Sequence, residues 1–241
     1  MKLRLAFFST LLLALATVRA EEKQGLVIPF KIVSVSSPVL QEVIDSVLVD
    51  EGAEVTEGQP IVQLRAEREA LEVERTQKLI ELGIFKSGGA QTLYKEKMGS
   101  KEKWLEEQAQ LELAKILHRV ADTMLKEKTV KAPLAGVVVK KHKEAGESVD
   151  RAEKLIDIVN IDQVYVRFYL DPALMETTKE GQEVRVKIPV LNNAEFTGRI
   201  TFVDPRIDAG SGFFQMKVLL ENKAGKIKAG MRANAEFGKA K

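Results

Sequence analysis

Two histidines, no cysteine and six methionines are all that these 241 residues offer for soft-metal or thiol chemistry. A zinc or copper centre needs several imidazole or sulfur ligands brought close together. His118 falls in a helix-like stretch and His142 in a charged turn, and neither has a second histidine nearby. Met98, Met124, Met175, Met216 and Met231 are scattered, which suits packing better than a soft-metal relay. Asp204 and Asp208 flank Pro205, a pattern that implies turn capping. No Ser-His-Asp order and no phosphate-cradling glycine loop emerges. The sequence therefore implies no catalytic, cofactor-binding or metal site, and function is expected to lie in shape.

The first twenty residues read as a secretory signal. Lys2 and Arg4 give a positive start, Ala6 to Val18 is mostly apolar, and Val18-Arg19-Ala20 places small residues around a cleavage point. The rival reading is a retained anchor, but a spanning helix needs about 20 apolar residues, and Ser9, Thr10 and Thr17 interrupt this shorter run. No cysteine follows for lipid attachment. Cleavage after Ala20 removes three of the 37 basic residues and no acid, leaving 34 against 35 acidic residues, a net −1. That near-neutral balance gives no electrostatic footprint for nucleic acid. An exported chain without cysteine has no disulfide framework, so burial and assembly must stabilise it. A Gram-negative envelope is the natural setting.

The elements that would build a shape come from an internal duplication. Residues 52–64 (GAEVTEGQPIVQL) align without gaps to residues 146–158 (GESVDRAEKLIDI) at a constant offset of 94. Gly52 meets Gly146, Val55 meets Val149, Ile61 meets Leu155, Val62 meets Ile156 and Leu64 meets Ile158. Upstream, Pro38 and Pro133 each precede a strand-like stretch, and one half is a residue longer there. Each half reads as short strands joined by a glycine turn with positive φ. Neither has enough apolar residues to close a core alone, whereas two together do.

Between the halves the texture changes. Residues 65–130 are rich in Glu, Lys, Leu, Ala and Gln, lack proline and carry helical spacing. A coiled-coil seam is expected along Ala70, Val73, Gln77, Ile80 and Ile84 on the first arm. On the second it runs along Leu105, Ala109, Leu113, Ile116, Val120 and Met124. A helix inserted at one point of a β domain must return there, which two antiparallel arms do. Placing the tip at Met98 to Ser100 gives arms of about 33 and 29 residues, each roughly 45–50 Å long, with Ser100 capping the second. A competing turn at Gly83 to Gly89 gives arms too unequal to pair, so that stretch is expected as a kink or local break.

The last segment is β again. Val164–Phe168, Val184–Ile188 and Met216–Leu220 mostly alternate apolar and polar residues. Asp171-Pro172 starts a short helix expected to end near Glu180-Gly181, and Asn192-Asn193 and Asp208 to Gly212 are expected turns. Five or six strands around one short helix suggest a small barrel, to which 26–35 is a further candidate strand.

These residues resemble the periplasmic adaptor subunits, or membrane fusion proteins, of resistance-nodulation-division (RND) efflux systems. The stretch from Val47 to Ile61 is similar to the family's first lipoyl half, TVKAPLAGVV (129–138) to its re-entry from the hairpin, and GRITFVDPRIDAGSG (198–212) with Asn222 and Gly230-Met231 to its barrel signature. The implied fold is mainly β with a long α-helical hairpin: a split lipoyl-like (barrel-sandwich hybrid) domain plus a small β-barrel. The expected division is a signal peptide (1–20), the split domain (36–64 and 130–160), the hairpin (65–129) and the barrel (26–35 and 161–238).

The resemblance implies a non-enzymatic linker in the periplasm. It would be held at the inner membrane by a transporter, assemble as a homo-oligomer (commonly a hexameric ring in this family), and touch a TolC-like outer-membrane channel with its hairpin tips. Family members often carry Arg-x3-Leu-x6-Ser at that tip. Here Leu93 and Ser100 stand at that spacing, while Gly89 occupies the arginine position. Arg75-x3-Leu79 matches in part but is followed by Lys86 where serine belongs. The implied contact set is Leu93, Lys97, Met98, Gly99 and Ser100. Helix packing for Leu93 and capping for Ser100 are the structural alternatives. Carrier chemistry is disfavoured, because the insert occupies the hairpin where lipoyl and biotinyl domains present their lysine. Many members add a membrane-proximal domain after the barrel. This sequence stops at Lys241, so the barrel itself would dock on the transporter. An adaptor for an ABC-type exporter or a secretion system is the alternative.

Overall fold

The computed structural model describes residues 21–237, so the signal-peptide expectation for 1–20 lies outside the described residues. The chain runs β1 (Glu21–Ser36), β2 (Glu42–Val47), β3 (Glu54–Val55), β4 (Pro60–Leu64), α1 (Glu67–Lys95) and α2 (Lys101–Glu127). Then follow β5 (Thr129–Lys131), β6 (Gly136–Lys141), β7 (Ser148–Val149), β8 (Lys154–Leu170), β9 (Glu183–Ile188), β10 (Ala194–Ile207), β11 (Phe214–Glu221) and β12 (Arg232–Phe237). Two compact units result. One holds residues 29–163 with 222–226, the other the rest of the described chain. β1 and β8 contribute to both.

In the first unit the two halves interlock by reciprocal pairing. β2 pairs with β7 through Glu42↔Val149 and Val43↔Ser148, and β3 pairs with β6 through Val55↔Gly136 and Glu54↔Val137. Moving each partner by 94 converts one set into the other, so the halves are related by a pseudo-twofold. The hydrogen bonds obey the same rule. Gly52 N–H donates to Val138 O and Gly146 N–H to Ile44 O, each at 2.8 Å. Both glycines have φ +88°, a region open to them for want of a Cβ. Even the bulges correspond, following Ile44 in one half and Val138 in the other.

The rule slips by one near Ser37. Ser37 N–H donates to Glu153 O as Ala132 N–H donates to Gln59 O, an offset of 95 between Ser37 and Ala132. The extra residue therefore lies between Ser37 and Glu42, where Gln41 is pushed to φ +47°. One core serves both halves: Ile44, Val55, Ile61, Val62 and Leu64 meet Val138, Val149, Leu155, Ile156 and Ile158.

The second unit is the small barrel. Strand order is β1-β12-β9-β10-β11-β8, and β1 also pairs with β8, which returns the order on itself. Inward residues alternate along β9 (Val184, Val186, Ile188) and β11 (Phe214, Met216, Val218, Leu220). The register of β1 with β12 covers Glu21 to Leu26, while Val35 packs in the core of the other unit, so the stretch 26–35 is not a barrel strand throughout.

Two further expectations change. The helix after Asp171 is a single 3-10 turn, Pro172–Leu174, that does not reach Glu180. β-branched Thr177 and Thr178 follow it, and the Thr177 hydroxyl donates to Leu174 O at 3.1 Å. Asp204-Pro205 lies within β10, where the register to β11 shifts between Val203 and Ile207. A proline without N–H is tolerated at such an irregularity, and Asp204 accepts from Arg206 N–H at 3.0 Å.

Candidate functional site: the helical hairpin

The hairpin leaves the duplicated unit from β4 and re-enters at β5, and those strands pair through Val62↔Val130 and Gln63↔Thr129. Lys128, 6% exposed, caps the end of α2 between them. Its carbonyl accepts from Leu64 N–H at 2.8 Å and from Gln63 Nε2 at 3.2 Å. Its ammonium donates to Glu42 of β2, and reaches Glu69 of α1 at 3.1 Å. One side chain thus ties strand, outgoing helix and returning helix together. Burial alone would raise the Glu42 carboxyl, but Lys128, the Val43 N–H and Arg65 hold it below its ordinary value. Burial alone would lower the Lys128 ammonium, but Glu42 and Glu69 outweigh it and raise it.

Counting back from Lys128 in steps of three and four gives Leu125, Ala121, His118, Ala114, Leu111, Glu107 and Trp104, and these, with Asp122 beside Ala121, are the buried and half-buried positions of α2. The facing seam of α1 is Glu69, Val73, Thr76, Ile80, Gly83, Ser87 and Ala90. The expected seam is corrected on both arms. Ala70, Gln77 and Ile84 are exposed, although Val73 and Ile80 hold. All six expected residues of the second arm, Leu105, Ala109, Leu113, Ile116, Val120 and Met124, stand outward. Apolar periodicity gives a stripe, whereas the strand-anchored base fixes which stripe faces the other helix. The result is a seam whose most buried positions include the small residues Thr76, Ser87, Ala114 and Ala121, with an apolar line of half-exposed side chains on the outer face of α2.

The glycines of 83–89 do not break α1, which is helical from Glu67 to Lys95. A Cβ on Gly83 would sit 3.2 Å from Leu111 Cα, so glycine there allows close helix contact. Beside it, the Thr76 hydroxyl directs its hydrogen at Glu72 O and Val73 O (2.9 and 3.0 Å). The same hydroxyl lies 3.1 Å from His118 Nδ1 and so links the two helices. His142 pairs instead with Asp157 at 2.8 Å. Among the described residues no three of His, Asp and Glu form a metal-sized group.

At the tip the expected turn is present. Lys97 N–H donates to Tyr94 O and Met98 N–H to Leu93 O. This is a Schellman ending with Lys97 at φ +61° where glycine is usual. Ser100 caps α2 by accepting from Lys103 N–H at 3.1 Å. Lys97, Met98, Gly99 and Ser100 thus share one exposed turn, with Leu93 exposed in the last turn of α1. Tyr94 and Trp104 stack across the helix ends at 5.6 Å. Neither they nor Lys128 and Glu107 stood out in the sequence, although an aromatic on each side of a turn is a readable signal for such a clasp.

Residues 31–160 match the family described as CzcB-like, barrel-sandwich hybrid domain, and residues 163–241 match the CusB-like, beta-barrel domain. Over 111 residues the chain is 23% identical to nodulation protein NolF of Rhizobium meliloti (strain 1021), covering 46% of this chain and 30% of that protein. A MacA-MexA chimera containing the Pseudomonas aeruginosa MexA α-hairpin domain superposes with TM-score 0.79 at 16% identity, covering 91% of this chain and 81% of that one. The membrane fusion protein Spr0693 of Streptococcus pneumoniae R6 gives 0.73 at 17% identity, covering 92% and 100%.

Proposed function

Because the chain belongs to the CzcB-like barrel-sandwich hybrid family, the membrane fusion adaptors of efflux systems, we propose that it is the periplasmic adaptor of a tripartite efflux complex. It links an inner-membrane RND transporter to a TolC-like outer-membrane channel. The observation that carries this reading is the hairpin: helices of 29 and 27 residues whose base is fixed by Lys128 and whose tip is exposed. Such an element transmits position rather than chemistry. The chain works as a linker without a reaction of its own, and the energy for transport comes from the partner.

In this reading several copies stand side by side as a ring, the hexamer being the expected number. The apolar line on the outer face of α2 supports association, since burying apolar area stabilises contact between copies. Leu93, Lys97, Met98, Gly99 and Ser100 form the channel contact, and the barrel faces the transporter.

Photo-crosslinking in cells from positions 93–101 tests the reading. An outer-membrane channel in the adduct is the expected result. Capture of no channel by correctly folded protein, or a monomer at cellular concentration, overturns it. Co-purification with an ATPase-type exporter rather than an RND permease would move the chain to the other transporter class.

A further inference from the structure

We infer that the outward face of barrel strands β8, β11 and β10 is a binding site for a flat, ring-containing organic anion. Val164, Val166, Phe168 and Leu170 of β8 fill the barrel core, so Tyr165, Arg167 and Tyr169 point away from it. Along β11, Phe214, Met216 and Val218 turn inward, and Gln215 and Lys217 outward. Phe202 of β10 stands opposite Lys217 in the register. Tyr169 and Phe213 are 49% and 40% exposed, so neither ring serves the core. Together with Ile207 they wall a recess of about 730 Å³, where Gln215 and Arg206 supply polar donors. Small-molecule sites run to roughly 300–1,000 Å³. One rim is preset by its own turn, in which Asp208 N–H donates to Phe213 O at 2.9 Å and Gly212 N–H to Asp208 O at 2.8 Å.

The charges choose the ligand. Residues 165–169 and 202–217 contain three cations, Arg167, Arg206 and Lys217, and two carboxylates, Asp204 and Asp208, a net +1. Both carboxylates are occupied. Asp204 accepts from two guanidinium nitrogens of Arg206 at 3.0 and 3.1 Å, and Asp208 from the N–H and hydroxyl of Ser211 at 2.8 Å each. Among the described residues, Arg167 and Lys217 pair with no carboxylate and lie over rings instead. Arg167 is 5.7 Å from the centre of Tyr169, and Lys217 is 5.3 and 5.8 Å from those of Phe202 and Tyr165. An anionic group reaches these two cations while its rings lie against Tyr169 and Phe213. Tyr165 and Tyr169 stand four residues apart on one strand, about 13 Å, which sets the length of the occupant. A protein partner fits less well, because lysine is depleted at protein interfaces. The recess lies on the barrel and involves no part of the hairpin, so it goes beyond the proposed linkage and is tested apart from it.

The test is an NMR titration of the full chain with biphenyl-4-carboxylate, against 4-biphenylmethanol as the uncharged ring control and acetate as the anion without rings. Saturable amide shifts confined to 165–169 and 202–217 are expected with the biphenyl acid. They should be weaker with the alcohol, absent with acetate and reduced by salt. Joint substitution Arg167→Gln and Lys217→Gln should weaken binding of the acid about tenfold and leave the alcohol unchanged, while Tyr169→Ala should weaken both. Circular dichroism shows whether each variant is folded. If one is not, the comparison of acid, alcohol and acetate on the unaltered chain still decides. Absent, scattered or unsaturable shifts overturn the inference, as does equal binding of acid and alcohol, or of the acid to the double variant. An equal response to acetate overturns it too, since a bare anion site needs no rings. Shifts of the same amides on concentrating the protein without a probe would assign the face to contact between copies, and would sink the ligand site while leaving the proposed function standing.

Discussion

Gly58 and Ala152 occupy equivalent corners of the duplicated unit, one in each half, and both have positive φ, +80° and +65°. A left-handed conformation strains a residue with a Cβ by roughly 1 kcal/mol. Ala152→Gly is therefore expected to be neutral to stabilising by up to about 1 kcal/mol, and Gly58→Ala to destabilise by a similar amount. Urea unfolding of the two variants checks the sign, and opposite signs are the outcome that the pseudo-twofold requires.

Removing Lys128 leaves Glu42 and Glu69 facing each other at the hairpin base without their shared cation. Lys128→Ala should cost about 3 kcal/mol, and adding Glu42→Gln should restore part of the loss. The pH dependence has two limbs. Glu42 is held low when folded, so its contribution is present above the unfolded carboxylate range and is lost as pH falls through the folded value. Lys128 is held high when folded, so its contribution is present below the unfolded lysine range and is lost as pH rises through the folded value. Denaturation midpoints measured between those ranges should show a plateau, and in Lys128→Ala both limbs should flatten.

Seam and outer line are separable by substitution. Ala114 and Ala121 are 7% and 3% exposed, and leucine at either position should overpack the hairpin by about 1–3 kcal/mol. Leu113→Lys and Ile116→Lys, on the outer face, should change monomer stability by less than about 0.5 kcal/mol. Thermal melts of dilute protein decide between them. Equal losses would put the seam where the apolar count suggests.

The glycines of α1 should also divide. Gly83→Val drives atoms into Leu111 backbone and should loosen the helix pair, whereas Gly88→Ala meets open space and should stabilise the helix by roughly 1 kcal/mol. Amide hydrogen exchange along α2 reports the first effect and the melting temperature the second.

Sequence alone carried the duplication well, because an offset of 94 in residue type became the same offset in hydrogen bonds. It carried the tip equally well: Gly99-Ser100 is a local stop and cap, and local signals survive folding. The helix phase was not legible. Leu105, Leu113 and Ile116 make the stronger apolar stripe, yet Ala114, His118 and Ala121 face α1, because the rotation is set by Lys128 at the end of α2 and by the β4–β5 pairing, whose Gln63 and Thr129 are 66 residues apart in sequence. Gly83 misled for a related reason. A glycine is a breaker by propensity and a close-contact residue by packing, and only the presence of Leu111 opposite decides which.

The junction at Lys128 also sets how accurately the far end can be aimed. A helix of 29 residues reaches about 44 Å, so a tilt of about 5° at the root displaces the tip by about 4 Å, close to one side chain's width. Stiffness at the root, from the β4–β5 pairing and the Lys128 contacts together, then sets where Leu93 stands, more than any property of the turn itself.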